Sequence, residues 1–224
     1  MNPCTQPEVP FDDGDHRWMS QHLCHIAQTK EREPDVLFIG DSLIHHLQYR
    51  SVWTELYEPL HCLNFGISGD KIQNVLWRIL NGELNNINPK VVVLLVGTNN
   101  IHNTPEEICD GILCIVSAIR EKLPTSYIVV IELLPRGRNP NPIRDHSNKV
   151  NQILRTKISS LSKIETVSAS KGLVQTDGTI SHHDMPDFLH LSDAGYRKAF
   201  ESVYELLNQL LFENEKEQDL TPSE

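Results

Sequence analysis

The chain has 224 residues, 39% apolar and 22% charged, a balance that supports one α/β domain with a real core and excludes a disordered body. Its formal net charge of -10 argues against nucleic acid, whose recognition needs clustered Lys and Arg, and no stretch approaches the roughly 20 apolar residues of a membrane span. The five cysteines (Cys4, Cys24, Cys62, Cys109, Cys114) lack CxxC spacing, which argues against a disulfide framework or a zinc knuckle and leaves reduced thiols as the expectation.

In chain order, MNPCTQPEVPFDDGD has neither a basic start nor an apolar run. Residues 1–15 are therefore expected to be loose, without signal-peptide character, and the protein to be cytoplasmic. A first strand is predicted over 36–39, running into Gly40-Asp41-Ser42-Leu43 with a short helix after Ser42. A second, over 62–65, leads into Gly66-Ile67-Ser68-Gly69-Asp70 and another short helix. Residues 91–96, VVVLLV, are apolar throughout and predict a central strand buried on both faces. It ends at Gly97-Thr98-Asn99-Asn100.

Thr104-Pro105-Glu106-Glu107 combines an N-cap, proline at the first helical position and a glutamate three residues after the cap, with Ile108, Ile112, Ile115 and Ile119 following on one face. Further strands are predicted over 127–133 and 164–167. Between them a helix is expected from about 144 to 161, with Val150, Ile153, Leu154 and Ile158 inward. A last helix starts at a Ser192 cap and carries Tyr196, Phe200, Val203, Leu207 and Leu210. Residues 213–224 hold five acids and one lysine and are expected to be a mobile, solvated tail. Five strands alternating with helices predict a parallel sheet covered on both faces, in a single domain over 16–212.

The chemistry-bearing segments all fall at strand carboxyl ends or before a helix, where open α/β sheets bind ligands. Ser42 would stand at a helix amino terminus, whose free N–H groups stabilise developing negative charge. The Ser42 and Gly69 N–H groups and the Asn99 amide could form an oxyanion hole. In Asp187-Phe188-Leu189-His190, the carboxylate could orient His190 as the base that deprotonates Ser42. Singly, each has a plainer reading as turn chemistry or a solvated histidine. Their order, nucleophile, glycine, asparagine, Asp-x-x-His, favours catalytic use.

The blocks GDSL, NFGISGD, GTNN and DFLH resemble those of the SGNH/GDSL hydrolases. That resemblance implies a three-layer α/β/α flavodoxin-like fold with a five-stranded parallel sheet and Ser/His/Asp chemistry without metal or cofactor. His16-Arg17-Trp18-Met19-Ser20, PLHCLNFGISGD, VLWRILNGELNNINPK, LLPRG and TDGTISHHDMPDFLHL further resemble the catalytic α subunits of intracellular type Ib platelet-activating factor acetylhydrolases, over about 16–212. By motif, Ser42, Asp187 and His190 are then catalytic and Ser42, Gly69 and Asn99 hold the oxyanion. Leu43, Thr98 and Leu189 would wall a small acyl pocket that prefers acetyl. The usual Gly-Ile-Gly-Gly is here Gly66-Ile67-Ser68-Gly69. The resemblance also implies a homodimer or a heterodimer with a paralogous α subunit, and a WD-repeat, lissencephaly-type regulatory subunit linked to dynein. Arg17 and Trp18 match a dimer-contact region; an exposed arginine beside a half-buried tryptophan is the plainer alternative.

Three rivals remain. A metal-dependent phosphoesterase would use the crowded His182, His183, Asp184, Asp187 and His190. It leaves Ser42 and Asn99 unexplained, and His45 and His46 are expected on a helix surface rather than as ligands. The others are a catalytically weak scaffold subunit that binds the WD-repeat protein, and a sugar or general short-chain esterase.

Overall fold

The computed structural model describes residues 1–219. Five parallel strands, β1 (Val36–Gly40), β2 (Cys62–Gly66), β3 (Val91–Leu95), β4 (Tyr127–Ile131) and β5 (Ile164–Val167), form one sheet in the order β2-β1-β3-β4-β5. This is the doubly wound, flavodoxin-like order. Val36 pairs with Cys62 on one side and Val91 on the other, so β1 and β3 run side by side at the sheet centre. Every residue of β1 and β3 is buried, as continuous apolar runs covered on both faces require.

The helices are α1 (Arg17–Glu31), α2 (Ser42–Leu47), α3 (Ile72–Arg78), α4 (Pro105–Lys122), α5 (Pro142–Ile158) and α6 (Asp193–Asp219). Right-handed crossovers put α3, α4 and α5 together on one face, where α4 contacts both others. On the other face α6 is tied to α2 by the Tyr196 hydroxyl, which donates to Leu43 O at 2.7 Å. The expected box at α4 is formed: Thr104 Oγ1 accepts from Glu107 N–H at 3.2 Å and the Glu107 carboxylate accepts from Thr104 N–H at 3.0 Å. In α6 the Ser192 hydroxyl accepts from Gly195 N–H at 3.1 Å, and Tyr196, Phe200, Val203, Leu207 and Leu210 are buried.

Several elements depart from expectation. Helix α5 starts two residues early because Asn141 caps it, its side chain accepting from the Ile143 and Arg144 N–H groups, with Pro142 at the first position. Helix α1 has no counterpart in the sequence reading. Residues 1–15 are not uniformly loose: Cys4 is fully buried, Asn2 donates to Glu107 O at 3.0 Å and Glu8 N–H to Gln73 O at 3.1 Å. Residues 11–15 are exposed. Helix α6 continues through Asp219, into the segment expected to be a mobile tail, and the rest of that segment lies outside the described residues.

Candidate active site

Strand β1 ends on Gly40, packed so tightly that a Cβ there would sit 2.1 Å from Leu95 O. Only glycine lets the chain pass β3 and turn into α2. Asp41 caps α2 through its carboxylate, which accepts from Leu43 N–H at 3.0 Å. Ser42 follows as the first helical residue, so its N–H has no carbonyl to meet within the helix. Asp41 is wholly buried, and its second carboxylate oxygen has no hydrogen-bond partner among the described residues. Burial pushes its carboxyl up to about 7.

The Ser42 hydroxyl lies 3.0 Å from His190 Nε2, although 148 residues separate the two in sequence. His190 Nδ1 lies 2.6 Å from Asp187 Oδ2. The other Asp187 oxygen accepts from the His190 N–H at 2.7 Å and the Leu189 N–H at 3.0 Å. Partial burial would raise the Asp187 carboxyl, but its bonds from the His190 ring and these two backbone groups hold it at about 2. An ionised carboxylate only accepts, which assigns the proton to Nδ1 and leaves Nε2 to accept from the serine. Phe188 takes φ 58, a left-handed conformation uncommon for a non-glycine residue. That strain lets Asp187 fold back under His190 within one turn.

Two further loops converge on this corner. In the turn after β2, Asp70 N–H donates to Ile67 O, and Gly69 has φ 89 with nothing within 4 Å of where a Cβ would be. Glycine is needed there for its backbone angle, not for space. After β3, Asn100 N–H donates to Gly97 O at 2.9 Å, and Asn99 Nδ2 donates to Asp70 O at 2.9 Å. That bond fastens the asparagine to the glycine loop and uses one of its two N–H groups. Leu43 and Thr98 are buried and Leu189 is half-buried, each adjacent in sequence to one of these groups.

The histidine-rich cluster separates. Asp184 is buried against Lys198 at 2.8 Å, Asp187 takes His190, and the His182 and His183 rings lie tilted against each other, their centroids 4.3 Å apart. Among the described residues, the one trio of side chains close enough to share a metal is Asp12, Asp13 and Asp15, all exposed. His45 and His46 are half-buried rather than on an open helix face: His45 Nδ1 donates to Gly66 O at 2.9 Å, and the His46 ring lies 5.0 Å from that of His190. Burial, and then the neighbouring His190, lower the His46 pKa. Ser68, the departure in the glycine block, is exposed with its hydroxyl 3.4 Å from His46 Nε2. Sequence reasoning placed His46 on a helix surface and gave no role to Asn64 within its NFGISGD block, although the Asn64 amide clamps α2 to β2 by donating to Ile44 O at 2.7 Å and accepting from Gly66 N–H at 2.9 Å. An asparagine in the middle of an apolar strand was the available signal, because such a group is buried only when bonded.

Comparison with known proteins places these loops in a family context. The model of the GDSL-like lipase/acylhydrolase family matches residues 38–198. A Drosophila melanogaster protein named platelet-activating factor acetylhydrolase IB subunit beta homolog is 51% identical over all of both chains. The Homo sapiens platelet-activating factor acetylhydrolase IB subunit alpha2 is 48% identical over 98% of this chain and 96% of its own. A solved GDSL-like lipase from Bacteroides thetaiotaomicron superposes with a TM-score of 0.70 over 85% of this chain and 97% of its own, at 15% identity.

Proposed function

This chain belongs to the GDSL-like lipase/acylhydrolase family and is a carboxylic ester hydrolase, and from that premise we propose that it is a serine hydrolase removing acetyl from the sn-2 position of platelet-activating factor or a related phospholipid. The observation that carries this reading is the hydrogen-bonded run from Ser42 through His190 to Asp187, at 3.0 and 2.6 Å. The names of the relatives support the choice of acetyl ester.

In this mechanism the Ser42 hydroxyl attacks the ester carbonyl as His190 Nε2 takes its proton, and Asp187 stabilises the imidazolium. The tetrahedral oxygen is held by the Ser42 and Gly69 N–H groups and the second N–H of the Asn99 amide. Collapse returns the proton from His190 to the departing alcohol and leaves acetyl on Ser42. Water, deprotonated by the same histidine, releases acetate and restores the serine. Leu43, Thr98 and Leu189 wall the acyl pocket in this reading. Residues 16–212 form the hydrolase domain. The relatives are named as alpha1 and alpha2 subunits, which supports assembly with other subunits; in this proposal the chain works in the cytoplasm as a dimer, with itself or with a paralogous α subunit, and carries a WD-repeat regulatory partner. No described helix is long and apolar enough to cross a membrane.

The test is hydrolysis of acetyl and butyryl esters and of platelet-activating factor by the wild type and Ser42→Ala, with and without a chelator. The expected result is chelator-resistant, acetyl-preferring activity that falls by at least about 10³-fold in the variant. A folded, inactive wild type would instead support the scaffold reading.

A further inference from the structure

Two sequence blocks singled out above, residues 75–90 and the segment around Trp18, carry charged and aromatic side chains that the chemistry does not use. They meet inside the molecule. Arg78, on the last turn of α3, is fully buried, and its guanidinium spends its donors on four different groups. Nε donates to Asp70 Oδ2 at 2.9 Å and Nη1 to the Glu83 carboxylate. Nη2 donates to Phe65 O at 3.1 Å and to Gly40 O at 3.3 Å. One side chain thus joins the end of β1, two residues before Ser42, to the end of β2 and to the residue after Gly69.

Asp70 extends these links. Its Oδ1 accepts from the Trp18 indole N–H at 2.6 Å, and its backbone carbonyl accepts from Asn99 Nδ2 at 2.9 Å. Glu83 Oε1 in turn lies 3.0 Å from Nδ1 of both His22 and His25, which face inward from α1. Ion pairs this deep contribute little net stability, because desolvating the charges offsets their attraction. What such a group supplies is fixed geometry. The Gly69 turn needs it, since the glycine has no side chain and touches nothing at its Cβ position.

We propose that Arg78, Asp70 and Trp18 act as a positioning unit for the oxyanion donors, holding the Gly69 N–H and the Asn99 amide in register with Ser42. This rests on the reading of Gly69 and Asn99 as oxyanion donors. Both Arg78 and Trp18 act through Asp70 rather than on the reacting atoms: Arg78 is fully buried, and the Trp18 indole N–H is spent on the Asp70 carboxylate. Their effect falls on kcat, because the donors they hold are used most in the transition state.

The experiment compares Asp70→Asn, Trp18→Phe and Asn99→Ala with the wild-type full-length chain on an acetyl ester. Active sites are titrated with a fluorophosphonate, and affinity is measured for a boronic acid that mimics the tetrahedral anion. Misplacement of a catalytic group by an ångström can cost about 10²-fold, so Asp70→Asn is expected to lower kcat per titrated site by about 10- to 100-fold with KM within about twofold. Trp18→Phe, which replaces the indole with a smaller phenyl ring and removes the N–H donor to Asp70, is expected to lower it about 3- to 10-fold by the same argument. Both should weaken the boronate in proportion to kcat. If Asn99→Ala loses activity while the other two keep wild-type kcat per site, whatever their thermal midpoints, the positioning proposal is overturned. If Asn99→Ala itself keeps kcat, the oxyanion reading beneath it fails instead. Should Asp70→Asn not fold, Trp18→Phe at the half-buried rim decides alone.

Discussion

Asp187 does two things with one carboxylate: one oxygen organises its own turn by accepting two backbone N–H groups, and the other fixes the histidine ring. Asp187→Asn separates them. The amide oxygen can still accept from the backbone, but the NH₂ group would face Nδ1 and force the proton onto Nε2, which then cannot accept from Ser42. We expect kcat to fall by about 10⁴-fold with little change in fold, as tautomer reversal does in serine triads. Steady-state kinetics alongside circular dichroism would check this, and a loss under about tenfold would remove Asp187 from the proposed triad. At this scale the meeting of GDSL and Asp-x-x-His was legible, because the proposed nucleophile and base need particular residue types at particular ends of elements. Arg78 and Glu83 were not. A lone arginine on a helix reads as solvated, and nothing in the local pattern shows that four acceptors from different segments close around it.

Among elements, α4 and α6 were legible because their inward faces are aliphatic or aromatic and their caps follow rule. Helix α1 was illegible for the opposite reason: its buried residues are His22, His25 and Thr29, so the apolar periodicity that marks a helix is absent. Those histidines are affordable inside only because Glu83 waits for them, a partner nearly sixty positions away. Crowding between β2 and α2 is the corresponding tight point near the site. A Cβ on Gly66 would lie 2.2 Å from His45 N and 2.7 Å from Ile44 C, both backbone atoms that cannot swing aside. Gly66→Ala is therefore expected to cost at least about 1–3 kcal/mol, the usual range for overpacking, and to lower activity by shifting the helix that carries Ser42. Urea unfolding gives the measurement, and a change below about 0.5 kcal/mol, the ordinary surface scatter, would mean that α2 moves freely.

For the molecule as a whole, the alternation of strands with helices gave the parallel sheet, while the strand order had to come from tertiary packing. That order matters because the chain leaves β1 outward for β2 and then returns past it to β3, so Ser42 and Asn99 follow the carboxyl ends of the two strands at the reversal, where open α/β sheets bind ligands. The same burial shapes global stability. Asp41 has its carboxyl raised from 3.8 to about 7 by desolvation, so between these values the folded chain keeps a proton that the unfolded chain loses, and stability falls as pH rises. His25 contributes the opposite slope: burial lowers its pKa below 6.5, so its contribution is lost as pH falls beneath that value. Asp41→Asn retains an acceptor for the cap and removes the first effect. Its stability relative to wild type should climb between about pH 4 and pH 7 and level off above, and parallel denaturation curves across that window would refute the assignment.

The Ser42 hydroxyl and its histidine partner come from opposite ends of the chain, 148 positions apart. A nascent chain leaving the ribosome can therefore complete its first strands, and a refolding chain can recover most of its circular dichroism, while remaining inert. In the proposed triad, turnover requires the turn that carries Asp187 and His190 to be docked against Ser42, so local opening of that segment would silence the enzyme with the sheet still folded. Under that reading, enzymatic activity reports the docking of this one segment, separately from the sheet beneath it.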